Sequence, residues 1–137
     1  MNAKIETRET ALVLVVEDDD LMRSSTRRLL RSAGFRVEAF ASAEEFLKSG
    51  RAAETACLIL DLRMPGMNGL ELQRHLAAEG CHIPIIFITA HDNQELRMQA
   101  LREGAVDFLL KPFSEEALLQ AIRKALKTPH SDERRIT

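Results

Sequence analysis

The chain has 137 residues, 45% of them apolar, and its 19 basic and 21 acidic side chains leave a net charge of −2. This is the size and composition of one globular domain with a real core, and it argues against a disordered chain. There is no overall positive field to draw nucleic acid, no apolar run near the ~20 residues that span a bilayer, and no Trp or Tyr for a base-stacking platform.

The first ten residues are polar and aperiodic and read as a flexible N-terminus; Met1-Asn2-Ala3-Lys4-Ile5-Glu6 lacks the apolar centre of a signal peptide. Leu12 to Val16 is an unbroken aliphatic run, a first buried strand, and Glu17-Asp18-Asp19-Asp20 follows directly. From about Leu21 to Ala33, Met22, Thr26, Leu29, Leu30 and Ala33 recur at helical spacing with arginines opposite, and Gly34 ends the helix. Arg36 to Phe40 reads as a weaker strand, and Ser42-Ala43-Glu44-Glu45 as a capping box opening a second helix that Gly50 closes. Strand 57–60 precedes Asp61 and a Pro65-Gly66 turn, and a third helix runs from about Gly69 to Ala78.

Pro84 to Ile88 gives a fourth strand ending at Thr89-Ala90, and Asp92 is placed to cap a fourth helix that reaches about Arg102 before Gly104. Val106 to Leu110 is a fifth strand ending at Lys111-Pro112. Ser114 caps a fifth helix, with Glu115 and Glu116 in its first turn and an apolar stripe of Leu118, Ala121, Ile122 and Ala125. Beyond Lys127 the chain turns polar and reads as a tail or the start of a linker. Cys57 and Cys81 lack metal-type spacing and read as reduced thiols of a cytosolic protein.

Five short apolar strands alternating with five helices imply an α/β fold with a doubly wound parallel sheet, for which the flavodoxin-like order 2-1-3-4-5 suits this length. In such a sheet the carboxyl ends of all strands lie along one edge. That edge collects Glu17 and Asp18 from strand one, Asp61 from strand three, Thr89 from strand four and Lys111 from strand five. Alone, Asp61 reads as a strand-end cap. In this company it reads as a nucleophile that accepts a phosphoryl group, with the acids suited to Mg²⁺, and Lys111 and the Thr89 hydroxyl suited to phosphoryl oxygens.

Four runs carry a family resemblance: Val15-Val16-Glu17-Asp18-Asp19, Asp61-Leu62-Arg63-Met64-Pro65-Gly66, Thr89-Ala90 and Lys111-Pro112-Phe113. They are separated by 43 residues from Asp18 to Asp61, 28 on to Thr89 and 22 more to Lys111. Over residues 11–127 the chain resembles a response-regulator receiver domain of two-component signalling. Gly104 to Phe113 is most similar to the nitrogen-fixation type of regulator, which carries a helix-turn-helix output domain. The resemblance implies that Asp61 takes its phosphoryl group from a histidine kinase. It implies a Mg²⁺ or Mn²⁺ ion held by Asp18, Asp61 and the Arg63 backbone carbonyl, with Glu17 acting through water. It further implies a cis Lys111-Pro112 bond, Lys111 on a phosphoryl oxygen, and Thr89 and Phe108 as the moving pair of a switch. The product is expected to be a phosphoprotein rather than an enzyme, cytoplasmic and without a membrane segment. On phosphorylation, homodimers are expected through the fourth helix, fifth strand and fifth helix, with DNA reached only through an output domain absent here.

Two positions depart from the family pattern: Glu17 stands where Asp is usual, and Phe108, without a phenol hydroxyl, where Tyr is common. Arg63 and His91, two residues after Asp61 and Thr89, are expected at the pocket rim, where they control access of water to the phosphoryl group. A stand-alone adaptor or phosphorelay intermediate is the alternative reading. A haloacid-dehalogenase-type aspartyl phosphatase would want a second Asp where this chain has Arg63.

Overall fold

The computed structural model describes residues 11–127; the two expected terminal segments, 1–10 and 128–137, lie outside it. The order of elements is β1 (Leu12–Val16), α1 (Asp20–Ser32), β2 (Arg36–Phe40), α2 (Ala43–Ser49), β3 (Cys57–Asp61), α3 (Gly69–Ala78), β4 (Ile85–Thr89), α4 (Gln94–Arg102), β5 (Asp107–Leu110) and α5 (Glu115–Lys127). A short 3-10 turn, Ala52–Glu54, leads into β3 and has no counterpart in the sequence reading. The strands form one parallel sheet in the order β2-β1-β3-β4-β5. This is the expected flavodoxin-like arrangement.

Strands β1, β3 and β4 are buried on both faces, which is why they appear in the sequence as unbroken aliphatic runs. Alternate residues divide between two cores. Leu12, Leu14 and Val16 join Leu58, Leu60 and Phe87 beneath α2, α3 and α4, whose Ala43, Phe46, Leu72, Leu76 and Ala100 cover them. Val13, Val15, Ile59, Ile86 and Ile88 face α1 and α5, where Leu30, Leu118, Ala121, Ile122 and Ala125 close the second core. β2 and β5 are the edges and are less buried, in keeping with their weaker sequence signal.

Several helix boundaries move by one residue for local reasons. Asp19 caps α1 by accepting from the Met22 amide, so the helix starts at Asp20 rather than Leu21. Ser42 accepts from the Glu45 amide as expected, but the Glu45 carboxylate reaches back to the Ala41 amide, one residue before the position that would close a capping box. The reciprocal box lies instead at α3, between Asn68 and Glu71. Asn93, not Asp92, caps α4, leaving Asp92 to pair with Arg97 at 3.1 Å. β5 begins at Asp107, although the Val106 amide still donates to the Ile85 carbonyl. Met64 is buried and Met67 packs against the core, whereas Met98 is 51% exposed.

One cross-connection ties two helices together. Gln73, buried on α3, donates its side-chain amide to the carbonyls of Ala100 and Glu103 at the end of α4. Arg74 makes a two-pronged pair with the Glu103 carboxylate, both contacts at 3.0 Å.

Candidate functional site

Because the strands are parallel, their carboxyl ends place the predicted residues on one edge of the sheet. Asp61 is the last residue of β3 and is paired in register with Ile88, so Thr89 lies one step further out on β4. Thr89 in turn pairs with Leu110, which puts Lys111 directly beyond β5, and the Lys111 amide donates to the Thr89 carbonyl at 2.8 Å. The Lys111-Pro112 peptide is cis, as expected.

The charged groups meet. The Lys111 ammonium stands 2.8 Å from Glu17 Oε1 and 3.6 Å from Asp61 Oδ2, while the Glu17 and Asp61 side chains are only 1% and 7% exposed. The short contact to Glu17 Oε1 is an ion pair without aligned hydrogen-bond geometry. The other Glu17 oxygen accepts from the Asp19 amide at 3.0 Å. Exposed Asp18 completes the group: one carboxylate oxygen each from Glu17, Asp18 and Asp61 lie within 4.8 Å of one another.

The electrostatics follow from this crowding. Burial, and then the neighbouring Glu17, push the Asp61 carboxyl up to about 7, while Lys111 and the Arg63 amide pull it down. Burial alone would weaken the Lys111 ammonium, but its pairing with Glu17 and Asp61 outweighs that and raises its pKa. A three-oxygen set with too little positive charge nearby matches the needs of a small hard cation, which takes one or two carboxylates and fills its other positions with water. The residues present therefore fit a divalent ion. Among the described residues the one such acid cluster includes neither thiol, and burial pushes Cys57 up to about 12 and raises Cys81.

The loops that carry the acids are braced from outside. Arg23 of α1 donates to the Glu17 carbonyl at 2.9 Å and pairs with Asp20 at 2.6 Å, holding the corner after β1. After β3, the Arg63 amide makes a long contact of 3.3 Å to Asp61 Oδ1, and the Met67 amide donates to Glu44 of α2 at 2.9 Å. Gly69 lets α3 start against the strand: a Cβ there would lie 2.7 Å from the Asp61 carbonyl oxygen and 3.0 Å from Leu62 Cα. The sequence reading did not single out Arg23, Glu44 or Gly69. Only Gly69, next to a helix-capping Asn, carried a local signal of close approach.

Phe108 is not part of the carboxylate cluster. Its half-buried ring lies 6.3 Å from that of Phe87, and the Arg97 guanidinium of α4 sits 5.6 Å above it. Arg63 and His91 are both exposed, and the His91 amide donates to Thr89 Oγ1 at 3.2 Å.

Known proteins resemble this chain in sequence and fold. The family model described as the response regulator receiver domain matches residues 13–123. Nodulation protein W of Bradyrhizobium diazoefficiens is 50% identical over 117 residues, covering 85% of this chain and 52% of that protein. Transcriptional regulatory protein FixJ of Azorhizobium caulinodans is 42% identical over 118 residues, covering 86% and 56%. Among solved structures, response regulator StyR superposes with a TM-score of 0.82 at 50% identity, covering 91% of this chain and 62% of that one. The FixJ-N crystal structure gives 0.81 at 36%, covering 88% and 97%. The chain thus spans about half the length of the curated relatives it matches. With a sheet in the order 2-1-3-4-5, three acids and a lysine at its carboxyl edge, and a family match over most of its length, the chain belongs to the receiver-domain family of two-component response regulators.

Proposed function

We propose that Asp61 is the phosphoryl acceptor of a signalling switch. The observation that carries this reading is the convergence of Asp61 and Glu17 on the Lys111 ammonium, with exposed Asp18 completing the group. An Asp61 oxygen attacks the phosphorus of a phosphohistidine on a kinase; the new O–P bond forms as the N–P bond breaks, and the histidine nitrogen leaves with the electron pair. Lys111 faces the equatorial oxygens and offsets their charge. Asp18, Asp61 and the Arg63 carbonyl would hold a Mg²⁺ or Mn²⁺ ion, with Glu17 acting through water; such an ion would neutralise charge on the transferring group. The Thr89 hydroxyl then donates to the attached phosphoryl group, and Phe108 responds to its movement. The chain thus acts as a phosphoprotein switch rather than as an enzyme with a separate substrate.

Incubating the chain with acetyl phosphate and Mg²⁺ should add one phosphoryl group by intact mass, with acetate as the leaving group. Asp61→Asn should abolish the addition; a modification that survives this change would falsify the assignment.

The exposed side chains of Arg63 and His91 flank the segments that hold Asp61 and Thr89. Both shield the phosphoryl group from attacking water. Replacing both with alanine should speed dephosphorylation several-fold without changing the thermal midpoint, as followed by the decay of phosphorylated mass; an unchanged decay would remove this role.

The proposed receiver takes in residues 11–127, with 128–137 as a tail or the start of a linker. Coverage of only about half of relatives that are named transcriptional regulators supports an output domain that contacts DNA. A homodimer through α4, β5 and α5 on phosphorylation is part of this reading, supported by the exposed Met98 and Leu101 on α4. A cytoplasmic location is part of this reading; no helix among the described residues is long and apolar enough to cross a membrane.

A further inference from the structure

We infer that Glu44, on α2 and outside the family's acid set, is a positioning residue for the cation site, acting through the loop that carries Arg63. The inference rests on the phosphoryl-acceptor reading above.

The loop from Leu62 to Asn68 links Asp61 to α3, and both of its ends are secured. The Leu62 amide donates to the Ile88 carbonyl, the Gly69 amide donates to the Leu62 carbonyl, and the Asn68 amide donates to Glu71. Its crown is built differently. Pro65 has no amide hydrogen to donate, and Gly66 takes a positive φ of 75°, so the backbone there has little regular pairing of its own. The crown is instead met by a carboxylate 23 positions earlier in the chain: Glu44 Oε2 accepts from the Met67 amide at 2.9 Å. The fit is close, since a Cβ on Gly66 would come within 2.9 Å of that same oxygen.

The support beneath Glu44 is rigid. Ala43 and Phe46, on either side of it in α2, are fully buried against the sheet, and Ser42 caps the helix. Glu44 therefore transmits the position of a packed helix to the middle of an otherwise loosely tied segment. Outer partners of this kind, which orient a ligand without touching the ion, commonly set metal affinity. The Met67 amide also holds the Glu44 carboxyl below the usual carboxylate range, so the acceptor is ionised at neutral pH.

The test compares the wild-type chain with Glu44→Ala and Glu44→Gln, titrating each with MgCl₂ alone by calorimetry and measuring acetyl phosphate labelling across Mg²⁺ concentrations. Glu44→Ala should weaken Mg²⁺ binding about five- to tenfold. Its labelling rate should fall at low Mg²⁺ and recover at saturating Mg²⁺, with faster exchange of the Met67 amide hydrogen. Glu44→Gln keeps an acceptor oxygen and should restore most of the affinity; because it retains the contact, it also keeps the inference testable if the alanine variant unfolds. Wild-type affinity in Glu44→Ala, or a Gln variant as weak as the Ala variant, overturns the role of Glu44 alone. A wild-type chain that neither binds Mg²⁺ nor accepts phosphoryl at Asp61 overturns the acceptor reading, and the inference with it.

Discussion

Lys111→Ala should destabilise the metal-free chain by about 2–3 kcal/mol at pH 8 and by clearly less at pH 5, measured by urea unfolding. The ammonium is the positive charge that faces two buried carboxylates, at 2.8 Å from Glu17 and 3.6 Å from Asp61. Removing one member of such a group leaves the others desolvated and unpaired, which costs more than the pair itself contributed. The pH dependence comes from Asp61. Its folded-state carboxyl is raised from 3.8 to about 7, so the stability tied to its proton is complete below about 4 and lost as pH rises through 7. At pH 5 Asp61 is largely protonated and Lys111 offsets mainly Glu17; at pH 8 both carboxylates need it. Lys111 itself does not titrate in this window, because its raised pKa keeps it charged well above pH 8. In an Asp61→Asn background the difference between the two pH values should vanish, and that variant should be more stable than wild type at pH 8. Phosphoryl acceptance in Lys111→Ala should fall on the order of a hundredfold, as when an oxyanion-stabilising donor is removed. Equal destabilisation at both pH values would show that Lys111 acts through packing rather than charge.

Gly69→Ala is the second large effect, and its sign runs against helix propensity. Gly69 opens α3, where an alanine would ordinarily stabilise the helix by up to about 1 kcal/mol. Here the added Cβ meets the Asp61 carbonyl oxygen at 2.7 Å, the Phe87 ring at 2.9 Å and Leu62 Cα at 3.0 Å. Two of these are backbone atoms of the strand end, and Phe87 is fully buried, so none can move aside cheaply. Net destabilisation of about 2–3 kcal/mol is expected by thermal or urea unfolding. Because the displaced backbone belongs to Asp61, acetyl phosphate labelling should fall as well, and more steeply than in a surface variant of equal stability. A stable, normally labelled Gly69→Ala chain would mean that α3 shifts freely on the sheet.

Much of this protein was legible in its sequence because both kinds of signal were strong. The double-sided burial of β1, β3 and β4 left uninterrupted aliphatic runs, and the stripe Leu118, Ala121, Ile122, Ala125 marked α5 without ambiguity. The charged residues at the strand ends were visible because a parallel sheet sends every such end to the same edge. What was not legible depended on contacts between distant segments. Glu44 looked like an ordinary first-turn acid, since nothing local reveals an amide 23 residues further on. The exchange of Asp92 for Asn93 as the cap of α4 turned on Arg97, which takes Asp92 as its partner and leaves the neighbouring amide side chain to the helix. The resemblance supplied Phe108, but its neighbours Phe87 and Arg97 emerge only once β4 and β5 are laid side by side.

The tie between α3 and α4 gives the fourth helix the mechanics of a lever. Gln73 and Arg74 fasten only its far end, at Ala100 and Glu103, while its near end begins at Asn93, just beyond Thr89. The nine residues of α4 make an arm about 13 Å long. With the fulcrum at Gln73, a push of about 2 Å at Asn93 would become a tilt of about 9° instead of a slide along the sheet. Met98 rides partway along that arm and Leu101 sits beside the pivot. The same tilt would therefore swing Met98 outward or inward while Leu101 stays nearly still, a difference that methyl probes at the two positions could separate.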